Sequence, residues 1–313
     1  MTIRLGTRAS ALAQWQAEWV AARLRERGHE VELVLITTHG DTTQGPISKS
    51  NPGAPIGGPG SVGVFTKELQ RALLDKQIDL AVHSLKDLPT DAIEGLTLAA
   101  VPQRESPFDV LVSRSGLKLE ELPPGATIGT GSLRRRAQLL YFRPDLRMAD
   151  IRGNVDSRLG KLREGRYDAL VLAEAGLNRL GFSDQITQIF SPEMMLPAVG
   201  QGALGLETRD ADRFTMEVVG GLDHPATRHA VLAERSLLFA LAGGCLAPIG
   251  ALATVDAAGS LSLRATVLAA DGRTRIVASG ESADTEWDTL AVSVAGELLR
   301  QGSVRLIEKS RQG

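Results

Sequence analysis

The sequence has little cysteine, and Cys245 is the only one among 313 residues. A single thiol forms no disulfide within the chain and cannot supply the several sulfur ligands of a structural zinc or iron–sulfur site, so these scaffolds are excluded. A lone cysteine is often a small buried apolar residue. The flanking Gly243, Gly244, Pro248 and Gly250 instead indicate a loop, where an accessible thiolate could serve as a covalent anchor for a carbon electrophile. Both interpretations stand at this point.

Aromatic residues, long apolar runs and an excess of charge of one sign are also scarce. Aromatic side chains make up 4% of the chain and the formal net charge is −2, which argues against a nucleic-acid-binding protein. No run approaches the roughly 20 apolar residues of a membrane span, and MTIRLGTRAS at the N-terminus lacks the apolar core of a signal peptide. We therefore expect a cytoplasmic globular protein that binds neither nucleic acid nor membrane.

The sequence does contain a regular alternation of strand and helix patterns. The spacing of apolar residues in the first part of the chain predicts strands at 2–7, 31–38 and 79–84 and helices at 10–28 and 65–77. This β-α-β order favours a mainly parallel sheet. Residues 43–63 are rich in glycine, proline and serine, which predicts a mobile loop or lid.

A similar alternation begins again near residue 103, and the last part of the chain differs from both. Residues 197–206, PAVGQGALGL, are interpreted as a crossing back toward the first region. The remainder predicts a helix, the cysteine loop, two alternating strands around an Asp-Gly turn and a further helix. We therefore predict two α/β domains and a small C-terminal α+β domain, with the boundaries 1–102 (to which 197–220 returns), 103–196 and 221–313.

Basic and hydroxyl side chains gather where predicted strands lead into helices. Ser132, Arg134 and Arg135 directly follow one predicted strand and open a helix, and Arg8 and Ser10 repeat the arrangement after the first strand. Free backbone N–H groups, the helix dipole and the planar guanidinium favour a carboxylate or phosphate at such a place. An ordinary solvated helix surface is the alternative for these arginines. Two such sites predict a central cleft between the α/β domains that binds a ligand with several negative charges.

A third polar group, HSLKDLP at residues 83–89, comes at the end of the predicted strand 79–84. We expect His83, Lys86 and Asp87 to reach the same edge of the sheet. A plain surface ion pair is the alternative for the adjacent lysine and aspartate. A carboxylate held among cations stays ionised, so Asp87 could stabilise a positive charge that develops on an otherwise anionic substrate.

Seven segments carry specific motifs in a fixed order along the chain. They are TRASALAQWQ (7–16), AVHSLKDLP (81–89), IGTGSLRRRAQL (128–139), IRGNVDSRLGKL (151–162), LAEAGLNRLG (172–181), LPAVGQGALGLE (196–207) and GGCLAPIG (243–250). Together they resemble the porphobilinogen deaminase (hydroxymethylbilane synthase) family from end to end. The resemblance implies a transferase of tetrapyrrole biosynthesis that joins four porphobilinogen molecules head to tail, releases ammonia at each step and frees hydroxymethylbilane by hydrolysis.

The resemblance also implies the fold and the roles of particular residues. It implies two α/β domains like those of periplasmic binding proteins and a third domain that carries the cysteine loop. Cys245 would hold a dipyrromethane cofactor, two linked pyrroles, through a thioether, and Asp87 would be catalytic, stabilising the azafulvenium cation left when ammonia departs. The other cofactor-binding positions implied are Lys86, Ser132, Arg134, Arg135 and Arg158. The substrate-binding positions implied are Arg8, Ser10, Arg152 and Arg179. The family further implies a monomer with a small-molecule substrate, porphobilinogen, and no metal.

Some positions do not fit the family pattern. His39 stands where the family commonly has an arginine, and Pro59 stands at the position of a loop lysine. Five arginines have no clear family counterpart, and a solvated surface is the interpretation for them: Arg136, Arg143, Arg147, Arg163 and Arg166. The competing function is a non-catalytic two-domain polyanion-binding protein. It would explain the basic residues but neither the third domain nor the lone cysteine in a glycine-rich loop.

Overall fold

The computed structural model of the chain describes residues 1–36, 66–241, 247–283 and 286–312. The predicted loop at 43–63, which includes Pro59, lies outside the described residues, as do His39 and Cys245. The chain divides into two compact units, Met1–Gln103 with Leu204–His224, and Arg104–Ala203 with Pro225–Gly313. The domain boundaries derived from the sequence stay predictions.

The strands and helices of the described residues are numbered along the chain. The strands are β1 (Ile3–Thr7), β2 (Val31–Leu35), β3 (Leu80–Ser84), β4 (Leu96–Ala100), β5 (Asp109–Ser113), β6 (Thr127–Gly129), β7 (Arg147–Ala149), β8 (Ala169–Ala173), β9 (Gln188–Ile189), β10 (Leu204–Arg209), β11 (Ile249–Val255), β12 (Leu261–Leu268) and β13 (Arg275–Ser282). The helices are α1 (Ala11–Glu26), α2 (Lys67–Leu74), α3 (Leu133–Phe142), α4 (Val155–Arg163), α5 (Glu174–Arg179), α6 (Arg213–Gly220), α7 (Pro225–Ala240), α8 (Trp287–Arg300) and α9 (Ser303–Gln312).

The first unit is built on a five-stranded sheet with the order β2-β1-β3-β10-β4. Strands β2 and β3 pair with β1 in parallel, whereas β10 runs antiparallel to both β3 and β4. Strands β1, β2, β3 and β4 therefore run in one direction, which confirms the expectation of a mainly parallel sheet, and β10, which enters from a distant part of the chain, is the one reversed strand. Leu5, Leu80 and Leu206 from three of these strands meet Val20 and Leu24 of α1 in one apolar core.

Local chemistry sets the ends of the first helix. The side chain of Ser10 caps α1 by accepting a hydrogen bond from the backbone N–H of Ala13 at 3.4 Å. Gly28, with a φ of +86°, follows the helix in the left-handed region that glycine adopts without steric cost. The strand β1 before the helix and the strand β2 after it are thereby brought into register side by side.

The second unit contains a sheet of the same size and a smaller antiparallel one. Its five-stranded sheet has the order β7-β6-β8-β5-β9, in which β6 pairs with β7 and β8 in parallel and β5 runs antiparallel to β8. The three-stranded sheet β11-β12-β13 shares an apolar core with α7, α8 and α9. The sequence patterns predicted neither β11 nor α9. A Cβ at Gly272, in the turn between β12 and β13, would lie 2.7 Å from the backbone N of Tyr141, so this turn packs closely against α3.

These sheets confirm the predicted fold class, with two α/β layers and a small C-terminal α+β part. Within the described ranges, no helix combines the length and apolarity needed to cross a membrane. The same residues contain no cluster of histidine, cysteine, aspartate and glutamate suited to a metal ion.

A buried carboxylate ties three strands of the first unit together. Asp79, just before β3, accepts hydrogen bonds from Arg4 Nε at 2.9 Å and Arg4 Nη2 at 2.8 Å, and from Arg209 Nη2 at 2.7 Å. Burial acts to raise the pKa of Asp79, but the hydrogen bonds from the two arginines outweigh it and lower the pKa to about 2.

Acid should therefore weaken the first unit through Asp79. A carboxyl group with a depressed pKa contributes stability that is complete above its unfolded pKa of about 4 and is lost as the pH falls toward 2. We expect Asp79→Asn to lower the thermal unfolding midpoint at pH 7 and to flatten its decline between pH 4 and pH 2. Circular dichroism melts across this range measure both effects. Asp75→Asn, at an exposed surface pair with Arg71, is the control, and an unchanged acid profile in Asp79→Asn would contradict the assignment.

Candidate active site

Four predicted site residues lie at one edge of the first sheet. Because β1 and β3 are parallel neighbours, their carboxyl ends meet at the same edge. Arg8 and Ser10 follow β1, and Lys86 and Asp87 follow β3. Arg8, Ser10 and Lys86 are half-buried, whereas Asp87 is exposed.

A short turn presents the lysine and the aspartate. Residues Leu85–Asp87 form a single turn of 3₁₀ helix directly after β3. Leu85 is buried in this turn, so it anchors the backbone, while the next two side chains are directed away from the core. The turn therefore holds a cationic and an anionic side chain side by side at the sheet edge.

His83 does not reach this edge, and the expectation that it does is wrong. It is buried within β3, and its Nε2 lies 2.9 Å from Oε2 of Glu207 on β10. Gln70 of α2 donates to Oε1 of the same carboxylate at 3.1 Å. Successive side chains of a strand point to opposite faces, and His83 points to the face that α2 covers.

Other predicted site residues lie in the same way at one edge of the five-stranded sheet of the second unit. Strands β6, β7 and β8 are mutually parallel, so their carboxyl ends share an edge. Ser132 follows β6, Arg152 follows β7 and Arg179 ends the helix that follows β8. Ser132 caps α3 by accepting a hydrogen bond from the backbone N–H of Arg135 at 3.4 Å.

Arg134 and Arg135 lie beneath the surface rather than on it. Only 4% of Arg134 and 7% of Arg135 is exposed, and both contact Asp109, which is fully buried at the start of β5. Arg134 Nη1 donates to Asp109 Oδ2 at 2.6 Å, and Arg135 Nε donates to Oδ1 at 2.9 Å. Gln201 Nε2 donates to Oδ1 at 3.0 Å. The solvated-surface alternative is therefore wrong for these two arginines.

Charge in this cluster is not balanced. Among the described residues, Asp109 is the one carboxylate that pairs with either arginine. Burial acts to raise the pKa of Asp109, but the two guanidinium groups outweigh it and hold the pKa well below its usual range. Two positive charges and one negative charge thus leave an excess of one positive charge.

Strand β11, which follows the cysteine segment in the sequence, contacts the backbone at Leu196, and this backbone also binds Arg134. Arg134 Nη1 also donates to the carbonyl oxygen of Leu196 at 2.7 Å. A Cβ at Gly250 would lie 2.7 Å from that same oxygen, and the backbone N–H of Ala251 donates to the carbonyl of Pro197 at 3.0 Å. The start of β11 and the side chain of Arg134 therefore contact the same stretch of backbone. In the sequence, Cys245 precedes Gly250 by five residues.

Three further arginines have separate surroundings. Arg152 is exposed, and Arg158 on α4 is half-buried and donates from Nε to the carbonyl of Gly153 at 2.7 Å. Arg179 donates from Nη2 to the carbonyl of Gly202 at 2.7 Å. Burial lowers the pKa of Arg179 to about 10, against a partly compensating effect of Glu105. Of the arginines set aside, Arg166 pairs with Glu164 on the exposed surface, in agreement with the surface interpretation. That interpretation is wrong for Arg143, whose side chain is only 19% exposed and donates to Asp145 and to the carbonyls of Leu119 and Leu122.

Asp109 and Gln201 are the members of this cluster that the sequence analysis missed. A usable signal was present, because Asp109 opens the strand DVLVS, which is otherwise apolar apart from its final serine. An ionised carboxylate in a buried strand requires a cationic partner, and SLRRR supplies one.

Comparison with known families decides the assignment. Residues 3–217 match the family model for the dipyrromethane cofactor binding domain of porphobilinogen deaminase, and residues 229–300 match the model for its C-terminal domain. The chain belongs to the porphobilinogen deaminase family. The identification made from the sequence motifs is confirmed, as is the dipyrromethane cofactor, and the non-catalytic polyanion-binding alternative is not favoured.

Individual relatives are similar over nearly their whole length. The porphobilinogen deaminase of Desulforudis audaxviator is 48% identical over 313 residues, 99% of this chain and 98% of that protein. That of Chlorobium chlorochromatii is 45% identical over 315 residues, 98% of this chain and 97% of that protein. Among solved structures, a methionine binding protein is similar with a TM-score of 0.45 and 13% identity, over 76% of this chain and 95% of that one.

Proposed function

We propose that the chain condenses four porphobilinogen molecules head to tail, with release of one ammonia at each step, and frees hydroxymethylbilane by hydrolysis. The observation that carries this proposal is the family match, which covers residues 3–217 and 229–300. The product would enter tetrapyrrole biosynthesis. We further propose that the protein acts as a monomer in the cytoplasm.

Cys245 is the proposed attachment point of the dipyrromethane. When bound, the cofactor supplies the pyrrole end to which each new unit is joined. Its pyrroles carry acetate and propionate groups, which are anionic at neutral pH. The excess positive charge at Arg134 and Arg135, close in the chain fold to the strand that follows Cys245, fits such a group. Lys86, Ser132 and Arg158 are the other side chains proposed to bind its carboxylates.

The remaining side chains at the two sheet edges are assigned to the substrate. Arg8, Ser10, Arg152 and Arg179 are proposed to bind the carboxylates of the incoming porphobilinogen and of the growing chain. An arginine fork matches a carboxylate bidentately. Arg152 is exposed and Arg8 is half-buried, which keeps them within reach of a ligand that arrives from solvent.

Asp87 is the proposed catalytic residue. Departure of ammonia leaves positive charge on the pyrrole, and a fixed carboxylate stabilises that charge as it develops. The 3₁₀ turn holds Asp87 at the sheet edge, and its exposure leaves room for a substrate.

Intact mass spectrometry tests the proposal directly. We expect the purified protein to exceed its sequence mass by two linked pyrroles and to gain further single pyrrole units after brief incubation with porphobilinogen. Cys245→Ser removes the proposed anchor and should show neither increment, whereas Cys245→Ser protein should still fold with wild-type circular dichroism. A wild-type mass that equals the sequence mass before and after substrate addition would overturn the proposed chemistry.

A further inference from the structure

The carboxylate of Asp109 is the common partner of the two buried arginines. It accepts hydrogen bonds from Arg134 and Arg135, and Gln201 completes its shell. Each guanidinium is also held by a backbone carbonyl, that of Leu196 for Arg134 at 2.7 Å and that of Val171 for Arg135 at 3.1 Å. Each guanidinium group (the fork of its arginine) is therefore held by the carboxylate and by one backbone carbonyl, which restricts its orientation.

A second buried carboxylate in the same unit shows what a purely structural pair looks like. Glu234 on α7 is fully buried and binds Arg104 through both oxygens, at 2.7 and 3.1 Å. The backbone N–H groups of Gly200 and Ala253 donate to it at 2.7 and 2.9 Å. One carboxylate faces one guanidinium there, so the charges cancel.

The Asp109 cluster differs from that pair because its charges do not cancel. A buried charge without a counterion is costly, and burial lowers the pKa of Arg134 accordingly. The charge of Arg135 also acts to lower the pKa of Arg134, so repulsion between the two guanidinium groups opposes the gain from pairing both with one carboxylate. The arrangement is explained if an anion from outside the chain completes the charge balance.

We propose that Asp109 is a positioning residue for cofactor loading, which holds the forks of Arg134 and Arg135 in place and leaves one of their two positive charges for a ligand carboxylate. This inference rests on the proposed role of the two arginines in binding the dipyrromethane. Asp109 itself touches no ligand in this scheme and acts through the arginines.

The rate at which cofactor-free protein acquires the dipyrromethane measures this positioning role of Asp109. Cofactor-free chains are incubated with porphobilinogen, and the fraction that carries two linked pyrroles is followed by intact mass over time. Asp109→Asn keeps the shape of the side chain but places an amide N–H against an arginine donor, so at least one fork loses its partner. We expect the loading rate to fall by at least about tenfold, because a small displacement of a positioned binding group commonly has an effect of this size or larger.

Glu234→Gln is the matched control, because it also neutralises a buried carboxylate paired with arginine. The two variants are compared at a temperature at which circular dichroism shows both to be folded. We expect Glu234→Gln to load at close to the wild-type rate, so a loss common to both variants would make the role of Asp109 structural and overturn the inference. Wild-type loading by Asp109→Asn would overturn it as well.

Two further variants separate this inference from the proposed function. Arg134→Leu and Arg135→Gln should both load slowly, and normal loading by both would refute the assignment of these arginines to the cofactor. Slow loading by them with normal loading by Asp109→Asn would refute the role of Asp109 alone. If Asp109→Asn does not fold, Asp109→Glu replaces it. That variant keeps the charge but displaces both forks by one methylene, so we expect slow loading, and a wild-type rate would overturn the inference.

Discussion

Asp87→Asn is expected to lower kcat by about 100- to 1,000-fold, the cost of removing one fixed group that stabilises charge in a transition state. The substitution keeps the shape of the side chain and removes only its charge. Because Asp87 is exposed and its carboxylate makes no hydrogen bond to another described residue, thermal unfolding should hardly change. Steady-state consumption of porphobilinogen gives kcat, and a circular dichroism melt gives the midpoint.

Asp91→Asn provides the comparison for this prediction. Asp91 is also exposed and lies four residues further along the same connection, so it tests whether loss of any negative charge near the sheet edge is sufficient. We expect its kcat to stay close to that of the wild type. If Asp87→Asn retained most of its turnover, or if both variants lost turnover equally, Asp87 would not be the catalytic carboxylate.

Glu234→Ala is expected to cause the largest loss of stability, about 3–5 kcal/mol, as is typical when one partner of a buried ion pair is removed. Its carboxylate joins Arg104 to the backbone of Gly200 and Ala253. Truncation leaves the Arg104 guanidinium, only 10% exposed, without its counterion, and two N–H groups lose their acceptor. Urea unfolding followed by tryptophan fluorescence and circular dichroism measures the change.

Glu297→Ala serves as the surface counterpart. Glu297 pairs with Arg300 on the exposed side of α8 at 2.7 Å, and water replaces such a partner readily. We expect the unfolding curve of this variant to match that of the wild type. Equal curves for Glu234→Ala and Glu297→Ala would mean that the buried pair does not support the second unit.

Much of the fold could be predicted because strand and helix periodicity is a local property. The strands at the start of both sheets and the helices that follow them were found from apolar spacing. Strand β11 was missed because its sequence, IGALATV, is apolar at most positions, so alternation is weak. The antiparallel course of β10 depends on where a distant segment returns, which periodicity does not encode.

The buried face of α1 shows the limit of apolar spacing within one helix. Apolar spacing over residues 10–28 predicted the helix, and its buried apolar residues are Ala17, Val20, Ala21 and Leu24 rather than its two indole side chains. Trp15 is 38% exposed, and the Trp19 ring lies 3.4 Å from the Arg23 guanidinium carbon. Small residues let the helix approach the sheet closely, whereas indole rings fit better at the margin, where arginine covers them.

The candidate site was predictable in part for a similar reason. Positions directly after strands could be placed at sheet edges because connections in α/β folds are short. The burial of Arg134 and Arg135 could not be predicted, since it depends on Asp109, which is contributed by a strand 25 residues away from Arg134 along the chain. His83 was misplaced because its partner Glu207 is 124 residues distant.

The position of β10 within the first sheet has a consequence for synthesis on the ribosome. Strand β10 lies between β3 and β4, although both are made more than a hundred residues earlier. Until residues 204–209 leave the exit tunnel, β3 and β4 have no strand between them and expose unpaired edges, which are prone to association with other chains. All the strands of the second five-stranded sheet emerge in that interval. The first sheet thus cannot be completed until the strands of the second five-stranded sheet have been synthesised, and the edges of β3 and β4 are open to association with other chains during that interval.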